Sequence, residues 1–423
     1  MEKKVQMQIT NSFAQNEEKY CHDRIILHSD ANNFFASVEG VICPEIKTTP
    51  FAVSGNPKIR TGIILAKNTL AKQCGVQTGE TIWEAKQKCC NLVCVPPHYE
   101  FYEEYSKKLK EIYGRFTNLV EPFGIDECWL DVTNSKIFGS GEEIAEKIRT
   151  IVKNELNITV SVGVSFCKLF AKLASDLKKP DATSLISRDN FKNIVWNLPI
   201  NSAIGIGKQM EKRMHSINVY KLGDIVNIPD DIIKKKFGVV GTRFKQSICG
   251  NDFSSVCFEI PIPKSVGNGM TTVVDIKTKA EFESVALFLS DEISTRLRQQ
   301  NLVAGCVSAS IKTNEFEWFS HEKRTSFFVD TAIDIKNMAI EIFNEYWKFD
   351  KKVRAIRICC SKLQRADKAR QMSLFESKNL CDYATGQEKK QKLNEAIDTI
   401  RKKYGNKSIK LASINENDGI IGI

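Results

Sequence analysis

The chain has 423 residues, which suggests about three domains. Hydrophobic residues make up 42% of the sequence and charged residues 26%, so we expect a packed soluble protein, and the lack of an apolar run of about 18 residues argues against a membrane span. The N-terminus has no apolar signal segment, and the 14 cysteines contain no CxxC pair, which favours free thiols in a cytoplasmic protein over a zinc site. The net charge of +10 favours a polyanionic partner, although a merely basic soluble protein would have the same charge.

The first half of the chain alternates predicted strands and helices. The apolar run RIILHS indicates a buried strand that ends at Asp30, and helices follow at FFASVE and from Tyr99. The segments LVEPFGI and CWLDVT indicate two strands, and a further helix precedes the strand ITVSVGV. If residues 34–97 are set aside as an insertion, the order is β-α-β-β-α-β, which is the ferredoxin-like arrangement.

The same element order recurs near the C-terminus. Before it lie a helical, glycine-punctuated region and a linker that contains Pro261 and Pro263. After Ser361 the sequence becomes polar, with one amphipathic helix whose apolar face carries Leu393, Ile397, Ile400 and Tyr404. These patterns predict a multidomain protein of the α+β class.

Three carboxylates stand at predicted strand ends. Asp30 ends the first strand, and Asp126 and Glu127 lie between two others. Clustered carboxylates repel one another unless cations lie between them, and Mg²⁺ prefers such hard oxygen ligands. Spacing alone nevertheless favours the simpler interpretation, in which Asp30 caps a helix and the other two residues occupy a solvated turn.

Four segments in this order change that balance: HSDANNFFASVE, EPFGIDECWLDVT, VSVGVSFCKLFAKLASDLKKP and AIGIGKQMEKRM. Together they resemble the Y-family DNA polymerases, and most of all the bacterial DinB-like branch of the polymerase IV type. The resemblance implies a right-hand polymerase that bypasses lesions with low fidelity and without proofreading. It also implies an N-terminal extension at 1–23, a palm at 24–33 and 98–187, fingers at 34–97, a thumb at 188–252, a linker at 253–264, a little finger at 265–362 and a tail at 363–423.

The resemblance also implies roles for individual residues. Two Mg²⁺ ions would be held by Asp30, Asp126 and Glu127 together with the carbonyl oxygen of Ala31. These ions would serve the transfer of a nucleotide to the primer 3′-hydroxyl. Phe35 matches the steric gate, whose ring excludes a ribose 2′-hydroxyl.

Three further residues match positions that contact the triphosphate. Lys179 matches the palm lysine that offsets phosphate charge. Many members carry Tyr-x-x-Arg in the fingers, where this chain has Thr69 and Lys72. Lys72 keeps the positive charge but not the forked geometry of arginine, and Thr69 has a much shorter side chain than tyrosine.

Two more segments indicate partners. Gly205 and Gly207 resemble the thumb hairpin, where glycines let backbone N–H groups approach a DNA phosphate. Gln371, Leu374 and Phe375 match the peptide Q-x-x-L-F that binds a sliding clamp. We therefore expect a monomer whose partners are primer–template DNA, deoxynucleoside triphosphates and a clamp.

Two other functions stay open at this point. A palm-fold nucleotide cyclase would also use carboxylates and two metal ions, but it would need neither thumb nor clamp peptide. A polymerase-derived DNA-binding or scaffolding protein would not need the intact carboxylates. Primer extension discriminates among the three.

Overall fold

The computed structural model describes residues 24–56, 60, 62–258, 262–347, 351–367, 380–405, 408–409, 411 and 418–421. At residues 326, 380–391, 418 and 421 it describes the backbone only. The chain divides into two compact units, Met1–Gly55 with Ile63–Ile260 and Asn56–Gly62 with Pro261–Ile423. Among the described helices, none has the length and apolar character to cross a bilayer.

In the described part of the first unit there are eight strands and nine α-helices. The strands in chain order are β1 (Ile26–Ala31), β2 (Phe51–Ser54), β3 (Ile64–Lys67), β4 (Val93–Val95), β5 (Val120–Pro122), β6 (Glu127–Asp131), β7 (Val160–Ser165) and β8 (Thr183–Ile186). The helices are α1 (Phe34–Ile42), α2 (Thr69–Gln73), α3 (Ile82–Lys88), α4 (Tyr99–Gly114), α5 (Gly141–Leu156), α6 (Lys168–Leu177), α7 (Phe191–Val195), α8 (Lys208–His215) and α9 (Asp230–Ile248).

The central sheet has the order β5-β6-β1-β7-β8. The first strand is therefore internal, antiparallel to β6 on one side and to β7 on the other. Helices α4 and α5 pack against one face through buried residues such as Leu109, Ile144 and Ile148. Leaving aside the added parallel strand β8, this is the predicted ferredoxin-like arrangement, and the prediction is confirmed.

Helix α6 covers the opposite face of this sheet at unusually short range. A Cβ atom on Gly163 of β7 would lie 2.0 Å from the carbonyl oxygen of Ala171 and 2.3 Å from the amide nitrogen of Ser175. Only glycine therefore permits this approach without displacing the helix. The contact fixes the distance between α6 and the strands that carry the carboxylates.

Residues 34–97 begin with a helix that belongs to the main core. Phe34 and Val38 of α1 are buried with Leu27 and Tyr102. The rest forms a small sheet of order β3-β2-β4 with its own apolar core. Farther along the chain, Gly238 interrupts α9 with a φ of 64°, so this helix consists of two segments.

The second unit repeats the β-α-β-β-α-β order, as predicted. Its elements are β9 (Ser265–Ile276), α10 (Lys279–Gln299), β10 (Leu302–Thr313), β11 (Trp318–Val329), α11 (Ala332–Tyr346) and β12 (Val353–Arg365). The strand order is β11-β10-β12-β9, so here the first strand lies at an edge. Both helices bury apolar residues against one face of this sheet, including Phe282, Leu289 and Phe343.

Among the described residues, two C-terminal helices follow, α12 (Leu380–Tyr404) and α13 (Asp418–Ile421). The sequence predicts an apolar face on α12, but its described side chains contact α10 through ion pairs. Asp398 accepts two hydrogen bonds from Arg298, at 2.7 and 2.8 Å, and Arg401 pairs with Asp291 at 2.7 Å. Leu393 and Tyr404 remain 60% and 66% exposed, so these two residues of the predicted apolar face do not provide the contact.

Candidate active site

The carboxylates meet where β1 and β6 pair. Asp30 lies directly opposite Glu127 in the antiparallel register, and the amide of Ala31 donates to the carbonyl oxygen of Asp126 at 3.1 Å. Residues opposite each other in such a pair point to the same face of the sheet. The register therefore brings Asp30 and Glu127 together, and Asp126 lines the same cleft, so the three carboxylates converge as the sequence predicts.

Two lysines of the α6 region reach these carboxylates. Lys172 Nζ lies 2.8 Å from Asp30 Oδ2 and 3.0 Å from Glu127 Oε2, and Lys179 Nζ lies 2.8 Å from Asp30 Oδ2. Sequence reasoning identified Lys179 but missed Lys172. The signal was present, because residues 172, 176 and 179 follow one another at 3–4-residue spacing, although Lys179 lies just beyond the end of α6.

The electrostatic environment shifts the pKa values of two of the carboxylates in opposite directions. Burial, followed by repulsion from Asp30 and Glu127, raises the pKa of Asp126 to about 6. Burial alone would also raise the pKa of Glu127, but the neighbouring His28 and Lys172 outweigh that effect and lower this pKa to about 2. Such opposed shifts between adjacent acids are typical of functional sites.

His28 is a second residue that sequence reasoning missed. Its side chain is fully buried, and Nε2 lies 3.2 Å from Glu127 Oε2. Ligand atoms of His28, Asp30 and Glu127 all lie within 4.8 Å of one another. Burial lowers the pKa of His28 below its ordinary value.

Phe35 forms an aromatic wall of the same site. Its ring stacks on that of Tyr102, with centroids 4.2 Å apart and planes 12° from parallel. The Tyr102 hydroxyl donates to Glu39, which also contacts His98. Phe34, by contrast, is 4% exposed and belongs to the core.

A cleft of about 390 Å³ joins these residues. Besides the three carboxylates, Ala31 and Phe35, it is lined by residues that include Leu65, Lys67, Thr78, Lys172 and Lys179. On the side of the small β3-β2-β4 sheet, the positive charge comes from Lys67, the last residue of β3. Sequence reasoning missed this residue too, and only its place at a strand end could have indicated it.

Thr69 and Lys72 do not line this cleft. Thr69 borders a separate cavity of about 240 Å³ on the other side of α1, together with Ser37 and Asn157. The predicted contact of Thr69 with a triphosphate is therefore not supported by its position. Lys72 is exposed on α2. Burial lowers the pKa of Lys67, and the positive charge of Lys72 lowers it further.

The predicted DNA contacts lie in a separate part of the first unit. Gly205 has a φ of 86°, and Gly207 immediately precedes α8. A glycine tolerates this left-handed backbone without strain. The clamp-peptide residues Gln371, Leu374 and Phe375 lie outside the described residues.

Comparisons with known proteins agree with this arrangement. The impB/mucB/samB family model matches residues 29–176, and the model of its C-terminal domain matches residues 263–374. A DNA polymerase IV of Acetivibrio thermocellus is 38% identical over 94% of this chain and 99% of its own length. A DNA polymerase IV 2 of Bacillus subtilis is 31% identical over 92% of this chain and 93% of its own.

A solved Y-family DNA polymerase chimera has the same fold. It superposes with a TM-score of 0.71 at 23% identity, covering 81% of this chain and 99% of the chimera. The fold, the site geometry and the two family matches agree with one another. The chain therefore belongs to the impB/mucB/samB family and is a DNA-directed DNA polymerase of the translesion type, a DinB-like member of the Y-family.

Proposed function

We propose that Asp30, Asp126 and Glu127, with the carbonyl oxygen of Ala31, hold two Mg²⁺ ions during nucleotide addition to a primer 3′-end. The observation that carries this proposal is the register of β1 and β6, which places Asp30 directly opposite Glu127. The donor set fits, because carboxylate and carbonyl oxygens are the ligands that Mg²⁺ prefers. When bound, such a pair of ions activates the attacking oxygen and offsets charge on the leaving pyrophosphate.

The surroundings of Glu127 also support a cation at this place. Glu127 Oε2 is buried and has no aligned hydrogen-bond partner. Lys172 Nζ is 3.0 Å from the same oxygen, so positive charge is already favoured there. Buried polar atoms without partners are rare and often indicate a functional role.

The nucleotide would lie between Phe35 and the lysines. With its ring held against Tyr102, Phe35 cannot easily move aside for a 2′-hydroxyl, so the wall selects deoxyribose. Lys179 and Lys172 on one side and Lys67 on the other would offset the triphosphate charge. Lys72 would contribute at longer range, and we assign no contact to Thr69.

Binding of DNA and of a clamp completes the proposal. Gly205 and Gly207 leave backbone N–H groups accessible to a phosphate, which would hold the primer–template without reading its sequence. The peptide from Gln371 to Phe375 would tether a monomeric polymerase to a sliding clamp and so raise its local concentration at the primer end. The free thiols of the described cysteines suit the cytoplasm.

Metal removal tests the proposed two-ion reaction. A primed template, matched deoxynucleotides and the enzyme are treated with EDTA, and Mg²⁺ is then titrated back. We expect extension to stop and then to return with a Hill coefficient above one, because both ions are needed. Full extension in EDTA, or a return that follows a single-site curve, would contradict the proposal.

A further inference from the structure

His28 lies directly behind the proposed metal ligands. It precedes Asp30 by two residues on β1, so both side chains point to the same face of the sheet. The imidazole is fully buried against Trp129, whose ring centroid lies 5.3 Å away in an edge-on orientation. A buried imidazole that only filled space would not need a nitrogen aimed at a carboxylate.

Each ring nitrogen of His28 faces one polar atom. Nδ1 lies 3.0 Å from the hydroxyl of Ser175 on α6, and Nε2 lies 3.2 Å from Glu127 Oε2. In the present orientation this second contact is not aligned as a hydrogen bond, so both atoms keep unused bonding capacity. A small rotation of the Glu127 carboxylate would align them, because their separation is already within hydrogen-bond range.

The contact with Glu127 determines which nitrogen must carry the proton. A carboxylate can only accept, so a favourable contact with Glu127 requires the proton on Nε2. The hydroxyl of Ser175 donates to the carbonyl oxygen of Lys172 at 2.8 Å and can turn to donate to Nδ1 instead. Because a hydroxyl can also accept, Ser175 gives Nδ1 a polar partner without choosing the tautomer.

We propose that His28 is a positioning residue of the polymerase reaction, which holds the Glu127 carboxylate in its metal-binding orientation through Nε2. The proposal rests on the proposed role of Glu127 as a metal ligand. Ligating carboxylates are commonly oriented by hydrogen bonds from residues behind them, and loss of such a partner costs about 10–100-fold in metal affinity or activity.

Three substitutions separate positioning from space filling. His28→Gln retains an N–H donor, whereas His28→Phe fills the space without one. Ser175→Ala removes only the polar contact at Nδ1. His321→Gln is the matched control, because His321 stacks on Tyr346 in the second unit at 3.8 Å. Mn²⁺ affinity is measured by electron paramagnetic resonance on complexes with a matched deoxynucleotide and a primer that lacks its 3′-hydroxyl.

We expect His28→Phe to weaken Mn²⁺ binding by about 10–100-fold, His28→Gln to stay within about threefold of the parent, and Ser175→Ala to fall between them. The same order should appear in kcat, with little change in KM for the nucleotide. His321→Gln should match the parent.

Two results would overturn the proposal. Equal Mn²⁺ affinity in His28→Phe and His28→Gln would show that the ring only fills space. A nitrogen hyperfine coupling to bound Mn²⁺ that disappears in His28→Gln would make His28 a direct ligand instead. Asp30→Asn serves as the reference. If Asp30→Asn also leaves Mn²⁺ binding intact, the proposed metal ligands are wrong. If Asp30→Asn loses Mn²⁺ and the His28 variants bind it normally, only the positioning role is refuted.

Discussion

The two units build a sheet from the same β-α-β-β-α-β order and reach different results. In the first unit the first strand is internal, so Asp30 at its end meets Glu127 of the neighbouring strand. In the second unit the first strand is at the edge and pairs only with β12. Among the side chains that the structure describes, the one group of three possible metal ligands lies in the first unit. The order of elements along the chain therefore does not determine where a catalytic site can form. The order of strands within the sheet does.

The largest expected effect is on the rate of primer extension, and it compares the same substitution made in each of the two sheets. Glu127→Gln removes a charge at the internal strand pair, and Glu322→Gln makes the same change opposite Ser308 in the second sheet. We expect Glu127→Gln to slow single-turnover primer extension more than about a hundredfold, beyond the loss typical of residues that only support a ligand. Glu322→Gln should extend at the parental rate, and comparable losses in both would remove the distinction between the sheets.

A smaller effect concerns sugar selection. Phe35→Ala removes the wall over the nucleotide, so we expect discrimination against ribonucleotides to fall by about 10–100-fold in single-nucleotide kinetics, the range that one steric contact provides. Tyr102→Phe is the control, because it keeps the stacked ring and removes only the hydroxyl that donates to Glu39. Unchanged discrimination in Phe35→Ala would place Phe35 in the core rather than at the substrate.

The smallest expected effect concerns stability. Gly163→Ala would place a methyl group 2.0 Å from the Ala171 carbonyl oxygen, and we expect it to lower the free energy of unfolding by about 1–3 kcal/mol, as overpacking does. Gly269→Ala in the second sheet meets its nearest atoms at 3.0 Å and should cost less. Denaturant unfolding of both variants tests this ranking, and the reverse order would show that α6 is not tightly constrained by β7.

Much of this molecule could be predicted from its sequence. The strands flanking Asp126 and Glu127 and the helix from Tyr99 follow local hydrophobic periodicity, and the structure has both. The likeness to a known family then identified Phe35 and Lys179, which line the cleft. Local patterns and ordered motifs therefore suffice for elements and for the main site residues.

What the sequence could not provide depends on contacts between distant segments. His28 and Lys172 are 144 residues apart in the sequence, yet both contact Glu127. They meet there because β6 pairs with β1 and α6 packs over both strands. Thr69 matched a motif position but faces another cavity, since Asn68 caps α2 and fixes its start. The docking of α12 through Asp398 and Arg401 likewise depends on partners more than 90 residues away in the sequence, Arg298 and Asp291.

The most direct test of the account asks whether two metal ions bind side by side at the end of β1. Two Mn²⁺ ions about 3.5–4 Å apart give a spin-coupled resonance signal that isolated ions do not. In a complex with a matched deoxynucleotide and a primer that lacks its 3′-hydroxyl, we predict this coupled signal for the parent enzyme. Asp30→Asn should show only isolated Mn²⁺. A coupled signal that survives in Asp30→Asn, or its absence from the parent, would contradict the assignment of the carboxylates at the β1–β6 pair.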